Sequence, residues 1–240
     1  MCRRIFVKIF FLFSFVYSSF VFAQDLPHPA ANIENIPAGS YIIPMDNDHQ
    51  SVVPAGQAPF NIKAYGLVNK FLQNGIPVKW AIKSGKALDD IDFSATVDRI
   101  TPTPTTGETL DFRAGPFIVP DTTLPCGVNS LDLITEWGFN VVAYKLTKST
   151  SIDIRYTITH RPKIAVFNNG GNDLLQTKVL DAAGIGNYLV IDAIDVYKIA
   201  YCYTFASEAH AGRDRITANV ADAVKEFVAN GGNFLSQCEA

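Results

Sequence analysis

Near the end of the chain, Asn230-Gly231-Gly232 closes a helical run, Asn233–Gln237 reads as a short strand, and Cys238 stands at its tip. A strand that turns sharply into a helix lifts the residue at the turn above the sheet and aims it at the helix N-terminus. A thiol held there has its pKa lowered by the helix dipole, which favours the reactive thiolate. Such a turn needs small residues two before and two after, and Ser236 and Ala240 occupy those places. The pattern permits a nucleophile elbow. A buried structural cysteine is the plainer reading of the same spacing, because a free cysteine packs as a small hydrophobe.

Other residues can be set beside it. His210 lies upstream, close to Glu208 in "SEAH". It is a candidate base, since partners in a site need not follow chain order, although a polar loop histidine is the simpler account. Gly170 and Gly171, in "NNGGND", can offer backbone N–H groups to an anion. That stretch has neither the Lys-Ser/Thr of a P-loop nor the Gly-x-Gly-x-x-Gly of a dinucleotide fold. Asp46 and Asp48 follow a strand in "IIPMDNDHQ", where haloacid dehalogenase-like phosphatases place an Asp-x-Asp. Pro44 inside that strand favours turn capping instead. His28, His49 and His160 are scattered, no metal-ligand spacing emerges, and no cofactor motif is present.

The elements that would position these residues read as β-α-β units. In "AYGLVNKFLQNGIPVKWAI", Leu67, Val68, Phe71 and Leu72 recur at helical spacing, Asn74-Gly75 stops the helix, and 76–82 alternates as a strand. Residues 98–112 read as a loop by their Thr, Pro and Gly content. Later, 164–167 is a strand, Leu174 to Leu180 mark a helix stopped by Gly184, and 188–191 is the next strand. The helix lined by Ile216, Val220, Val224, Phe227 and Val228 leads to the final strand. Joined by helices, strands 163–168, 188–192 and 233–237 are expected to be parallel. Cys238 is expected at the end of a central strand beside 163–168, bordered by the loop 168–172.

The set "KIAVFNNGG", "VLDAAGI", "YLVIDA" and "VKEFVANGGNFLSQCEA" resembles the N-terminal half of the class I glutamine amidotransferase-like superfamily. The resemblance covers residues 161–240. It implies that Cys238 is the nucleophile and that the backbone N–H of Glu239 is an oxyanion donor. The superfamily usually has glycine where Ser236 and Ala240 stand here. Its base is a histidine well downstream of the cysteine, so the resemblance also implies a domain continuing past residue 240. The expected fold is therefore α/β. A parallel, flavodoxin-like sheet with helices on both faces, incomplete over 161–240, is preceded by an α/β region over 40–160 and a linker over 24–39. The implied activity is that of a cysteine-dependent hydrolase or amidase in the full-length form; the alternative is a non-catalytic extracytoplasmic binding or surface module.

Residues 1–23 stand apart. Arg3, Arg4 and Lys8 precede an apolar run, and Val21 and Ala23 suit the −3 and −1 places of a cleavage site before Gln24. This is the layout of a secretory signal peptide, too short in its apolar run for a membrane span, and it implies a secreted or periplasmic product. Export would leave Cys126, Cys202 and Cys238, an odd number; in an oxidising compartment two could pair and one stay free, and the sequence does not choose the pair. The 240 residues are 48% hydrophobic and 18% charged with a net charge of −3. No basic surplus points to nucleic acid, and the expected partner is an unidentified small-molecule or surface ligand.

Overall fold

The structure, a computed structural model, describes residues 29–51, 60–168, 173–192, 199–209 and 218–237. Its larger part is an antiparallel sheet. The elements in chain order are β1 (Ile33–Ile36), β2 (Tyr41–Ile43), α1 (Lys63–Gln73), β3 (Val78–Ala81), β4 (Phe93–Thr101), β5 (Thr105–Phe112), β6 (Phe117–Val119), α2 (Ser130–Trp137), β7 (Ala143–Leu146) and β8 (Thr150–Ile158). The strands form one eight-stranded sheet in the order β1, β8, β3, β6, β2, β7, β4, β5. Every neighbouring pair is antiparallel, and the sheet curls into a half-barrel.

This overturns the α/β reading of residues 40–160. The β2-α1-β3 order is as the sequence implies, and the two strands share a direction. They are not neighbours, because β6 lies between them and runs antiparallel to both. The "FIV" of β6 is buried throughout, so its backbone groups must find partners on both sides. Those partners lie more than 30 residues away in the chain, and no local pattern announces them. A second correction falls on 98–112, which reads as a loop and is most of a long hairpin. In β4, Phe93, Ala95 and Val97 point inward at period two. The polar residues face out and pair across the strands: Ser94 Oγ donates to Asp111 at 2.6 Å, and the Thr96 and Thr109 hydroxyls meet at 3.2 Å. A Thr-rich solvent face mimics loop composition.

Each face of this sheet carries its own core. One face packs Tyr41, Ile43, Val78 and Val119 against Leu67 and Phe71 of α1 and Leu133 and Ile134 of α2. The other fills the curl with Ile42, Val97, Phe112, Ile118, Leu146 and Ile152. Burial of each such side chain favours folding by about 1.5–3 kcal/mol. The helix α1 ends where expected, at Asn74 followed by Gly75 with φ of 76°, a left-handed conformation that glycine adopts without strain. Asn129 starts α2, its side chain accepting from Asp132 N–H.

The second sheet is small and parallel. It is built from β9 (Ile164–Phe167), α3 (Leu174–Ala182), β10 (Tyr188–Ile191), α4 (Ile199–Cys202), β11 (Phe205–Glu208), α5 (Ala218–Ala229) and β12 (Asn233–Ser236). The strand order is β10, β9, β11, β12, all parallel. Strands expected at 163–168, 188–192 and 233–237 are present within a residue or two. Their arrangement is not the expected one. The unanticipated β11 separates β12 from β9, and β12 is an edge strand among the described residues. A fold with this large antiparallel half-barrel is mostly β, not a flavodoxin-like α/β fold.

The sheets meet at a tight seam. A Cβ at Gly66 of α1 would lie 1.8 Å from the Ala183 carbonyl oxygen and 2.5 Å from the Trp137 ring. Asn69 and Gln73 of α1 both donate to Asn187 Oδ1 at 2.9 Å.

Candidate functional site

The four parallel strands end together, and polar side chains gather at that edge. In parallel sheets the carboxyl ends of strands are where ligand sites collect. Ser207 and Glu208 close β11 and are 2% and 7% exposed. Gln176 reaches the same place from α3. Ser207 Oγ donates to Gln176 Oε1 at 2.6 Å, and Gln176 Nε2 donates to Gln237 Oε1 at 3.3 Å. The backbone N–H of Gln237 donates to the Glu208 carbonyl at 3.0 Å, which ties the end of β12 to the end of β11. At the β9–β10 end, Asn168 Nδ2 donates to Asp192 Oδ1 at 2.8 Å. The result is a row of directed hydrogen bonds running from a buried hydroxyl through an amide to the strand tip.

The fold explains why these residues sit together. Parallel register sets Ser207 opposite Val166 of β9 and Leu235 of β12, and Glu208 opposite Ser236. The α3 helix packs with Gln176 and Thr177 buried, while Leu174, Leu175 and Val179 remain exposed. That is the reverse of what a hydrophobic stripe over 174–180 suggests, and it is what carries an amide to the sheet edge. A buried polar side chain is retained where it has a partner, and Gln176 has two.

Of the residues picked out from the sequence, the structure places Glu208 at this edge. Cys238, Glu239, His210, Gly170 and Gly171 lie outside the described residues. Gln237, which precedes Cys238, is at the edge. The expected neighbour relation fails, because β11 intervenes between the β12 strand and β9. Gln176, Ser207 and Asp192 were not anticipated. Their signal is faint: a serine that follows Phe205 and Ala206 and precedes Glu208, and a glutamine on the face of α3 that the apolar pattern turns outward.

Asp46 serves the turn, as its spacing with Pro44 suggests, while Asp48 lies 3.8 Å from the Arg113 guanidinium. Asp46 Oδ1 accepts from His49 N–H at 2.8 Å and from the His49 ring at 2.7 Å, and Gln50 N–H donates to the Asp46 carbonyl. Burial alone would raise the Asp46 carboxyl, but the hydrogen bonds from His49 and from Arg113 N–H outweigh it and hold the group below its ordinary value. The hydrogen bond to Asp46 raises the His49 imidazole in turn, against burial. His49 is packed beside Phe112 and Tyr144. The pair is a folding element.

Cys126 and Cys202 are free and exposed, so they are not paired with each other. Among the described residues, no group of three or more His, Cys, Asp or Glu can hold a metal ion, and no helix is long and apolar enough to cross a membrane. No family model, curated protein or solved structure matches this chain. The likeness to the glutamine amidotransferase-like superfamily rests on the residues alone.

Proposed function

We propose that this is an exported binding module that holds a small, donor-rich polar ligand at the carboxyl edge of its parallel sheet. The observation that supports it is the buried pairing of Ser207 with Gln176 beside the buried Glu208, at the end where all four strands stop. The acidic groups Glu208 and Asp192 and the amide oxygens favour a ligand that donates hydrogen bonds, such as an amino acid or a polyol. Thiol catalysis loses its main structural argument, because the strand leading to Cys238 is not the central neighbour of β9.

Calorimetric titration of the mature protein with L-glutamine, L-arginine, glycerol and D-glucose tests this reading. A saturable ligand is expected, with affinity reduced about tenfold or more in Glu208→Gln, the loss of a charge-assisted hydrogen bond. No ammonia release from L-glutamine is expected. The absence of any binding at about 10 mM, too weak for a specific site, would overturn the module. Ammonia release that disappears in Cys238→Ser would replace it with the hydrolase.

A further inference from the structure

A groove of about 750 Å³ opens on the antiparallel sheet, far along the chain from the parallel edge, between the 29–32 stretch, the 82–88 loop and the strands β3 and β8. Its wall is aromatic. Trp80 of β3 and Tyr156 of β8 are cross-strand partners, with ring centroids 6.2 Å apart and planes tilted by 33°. Tyr156 is half exposed. Ile82 and Leu88 extend the apolar surface.

The wall is held in place before any ligand arrives. Trp80 Nε1 donates to the Gly115 carbonyl at 2.9 Å, and the indole stacks on Phe117 at 5.9 Å. Gly115 has no room for a side chain, since a Cβ there would lie 2.5 Å from Trp80 Nε1. Its own N–H donates to Asp92 at 2.8 Å. The Asp92 side chain is completely buried. It also accepts from Lys83 N–H at 3.0 Å and pairs with Lys86 Nζ at 2.9 Å, which folds the loop around it. On the other side Asp153 accepts from Asn32 N–H and Ser84 N–H, both at 2.8 Å, and so ties the 29–32 stretch to the same loop. Two buried carboxylates thus brace both rims. A preformed apolar wall with a few placed polar groups is how small-ligand sites are built.

The charge left over at the groove is positive. Asp92 and Asp153 are occupied by the bonds just described. Arg155 and Lys83 both line the groove, and neither forms an ion pair among the described residues. The Arg155 guanidinium rests 5.1 Å from the centre of the Tyr156 ring, a cation–π contact that keeps it at the aromatic wall. A guanidinium offers a planar fork that matches the two oxygens of a carboxylate.

We propose that this groove binds a carboxylate carried on a ring with an apolar face, with that face against Trp80 and Tyr156 and the carboxylate on Arg155, Lys83 standing by. Two sources supply that chemistry: an aromatic acid and an acidic saccharide, whose ring offers a C–H face for stacking. Calorimetric titration with phenylacetate and with trigalacturonate separates them, and phenylacetamide and maltotriose are the uncharged counterparts. One acid is expected to bind at least about tenfold more tightly than its counterpart, as a charge-assisted bond requires. Arg155→Met should weaken it by about tenfold to a hundredfold. Tyr156→Ala should weaken the acid and the counterpart together. Lys83→Met, at an exposed position whose change leaves the fold intact, should weaken the acid a few fold, and Lys225→Met on α5 should change nothing. The proposal fails if acid and counterpart bind alike, if Arg155→Met and Lys83→Met both bind as the parent does, or if neither acid binds at about 10 mM.

Discussion

Replacing Gly66 by alanine reverses the usual rule for a helix. Inside an isolated helix the change would stabilise by about 1 kcal/mol. At Gly66 the new methyl would lie 1.8 Å from the Ala183 carbonyl oxygen and 2.5 Å from the Trp137 ring. The first neighbour is backbone and cannot swing aside, so α1 and the end of α3 must part by more than an ångström. Overpacking of this kind costs about 1–3 kcal/mol. The parting also stretches the two hydrogen bonds from Asn69 and Gln73 to Asn187, each worth about 1 kcal/mol. Set against the helical gain, a net loss of about 1–3 kcal/mol is expected. Urea unfolding followed by far-UV circular dichroism measures it, and tryptophan emission reports on the seam through Trp137. Gly186→Ala is the control, because no atom lies within 4 Å of its added Cβ and its φ is not positive; it should change stability by less than about 0.5 kcal/mol. An unchanged or raised midpoint for Gly66→Ala would show that the two sheets do not meet as described.

Asp92→Ala strands Lys86 and two backbone N–H groups in a buried site and should cost about 3–5 kcal/mol; a melting temperature equal to the parent's would contradict the bracing role given to Asp92. The Asp46–His49 pair should make stability depend on pH at both ends. With its carboxyl lowered, Asp46 contributes stability above about pH 3.9, lost as pH falls through its folded value. With its imidazole raised, His49 contributes stability in full below about pH 6.5, lost as pH rises through its folded value. Urea midpoints taken from about pH 6 to pH 9 should fall for the parent and flatten in His49→Gln; equal slopes would remove the pair from the account. Mass spectrometry of the protein recovered from its native host should find Gln24 at its start, and a product still beginning at Met1 would refute cleavage there.

Local signals in the sequence are enough to mark where α1, α3 and the strands at 164–167, 188–191 and 233–236 begin and stop. The reason is that a helix stop is a property of a few residues. Gly75, Gly184 and Gly231 all take positive φ, which glycine does at little cost, and Gly232 faces the Phe227 ring with no space for a Cβ. The turn role of Asp46 is legible for the same reason, since its partners are His49 and Gln50. Strand partnership is decided elsewhere. Insertion of β6 between β2 and β3, and of β11 between β9 and β12, depends on backbone groups meeting across dozens of residues, and a short apolar strand is compatible with either parallel or antiparallel neighbours. Those two insertions turn an expected α/β region into an antiparallel half-barrel and move the strand before Cys238 to an edge of the sheet formed by the described residues. Tertiary contact also creates what spacing could not show: the Ser207–Gln176–Gln237 row joins β11, α3 and the end of β12, and the Trp80–Tyr156 wall comes from the β3–β8 register.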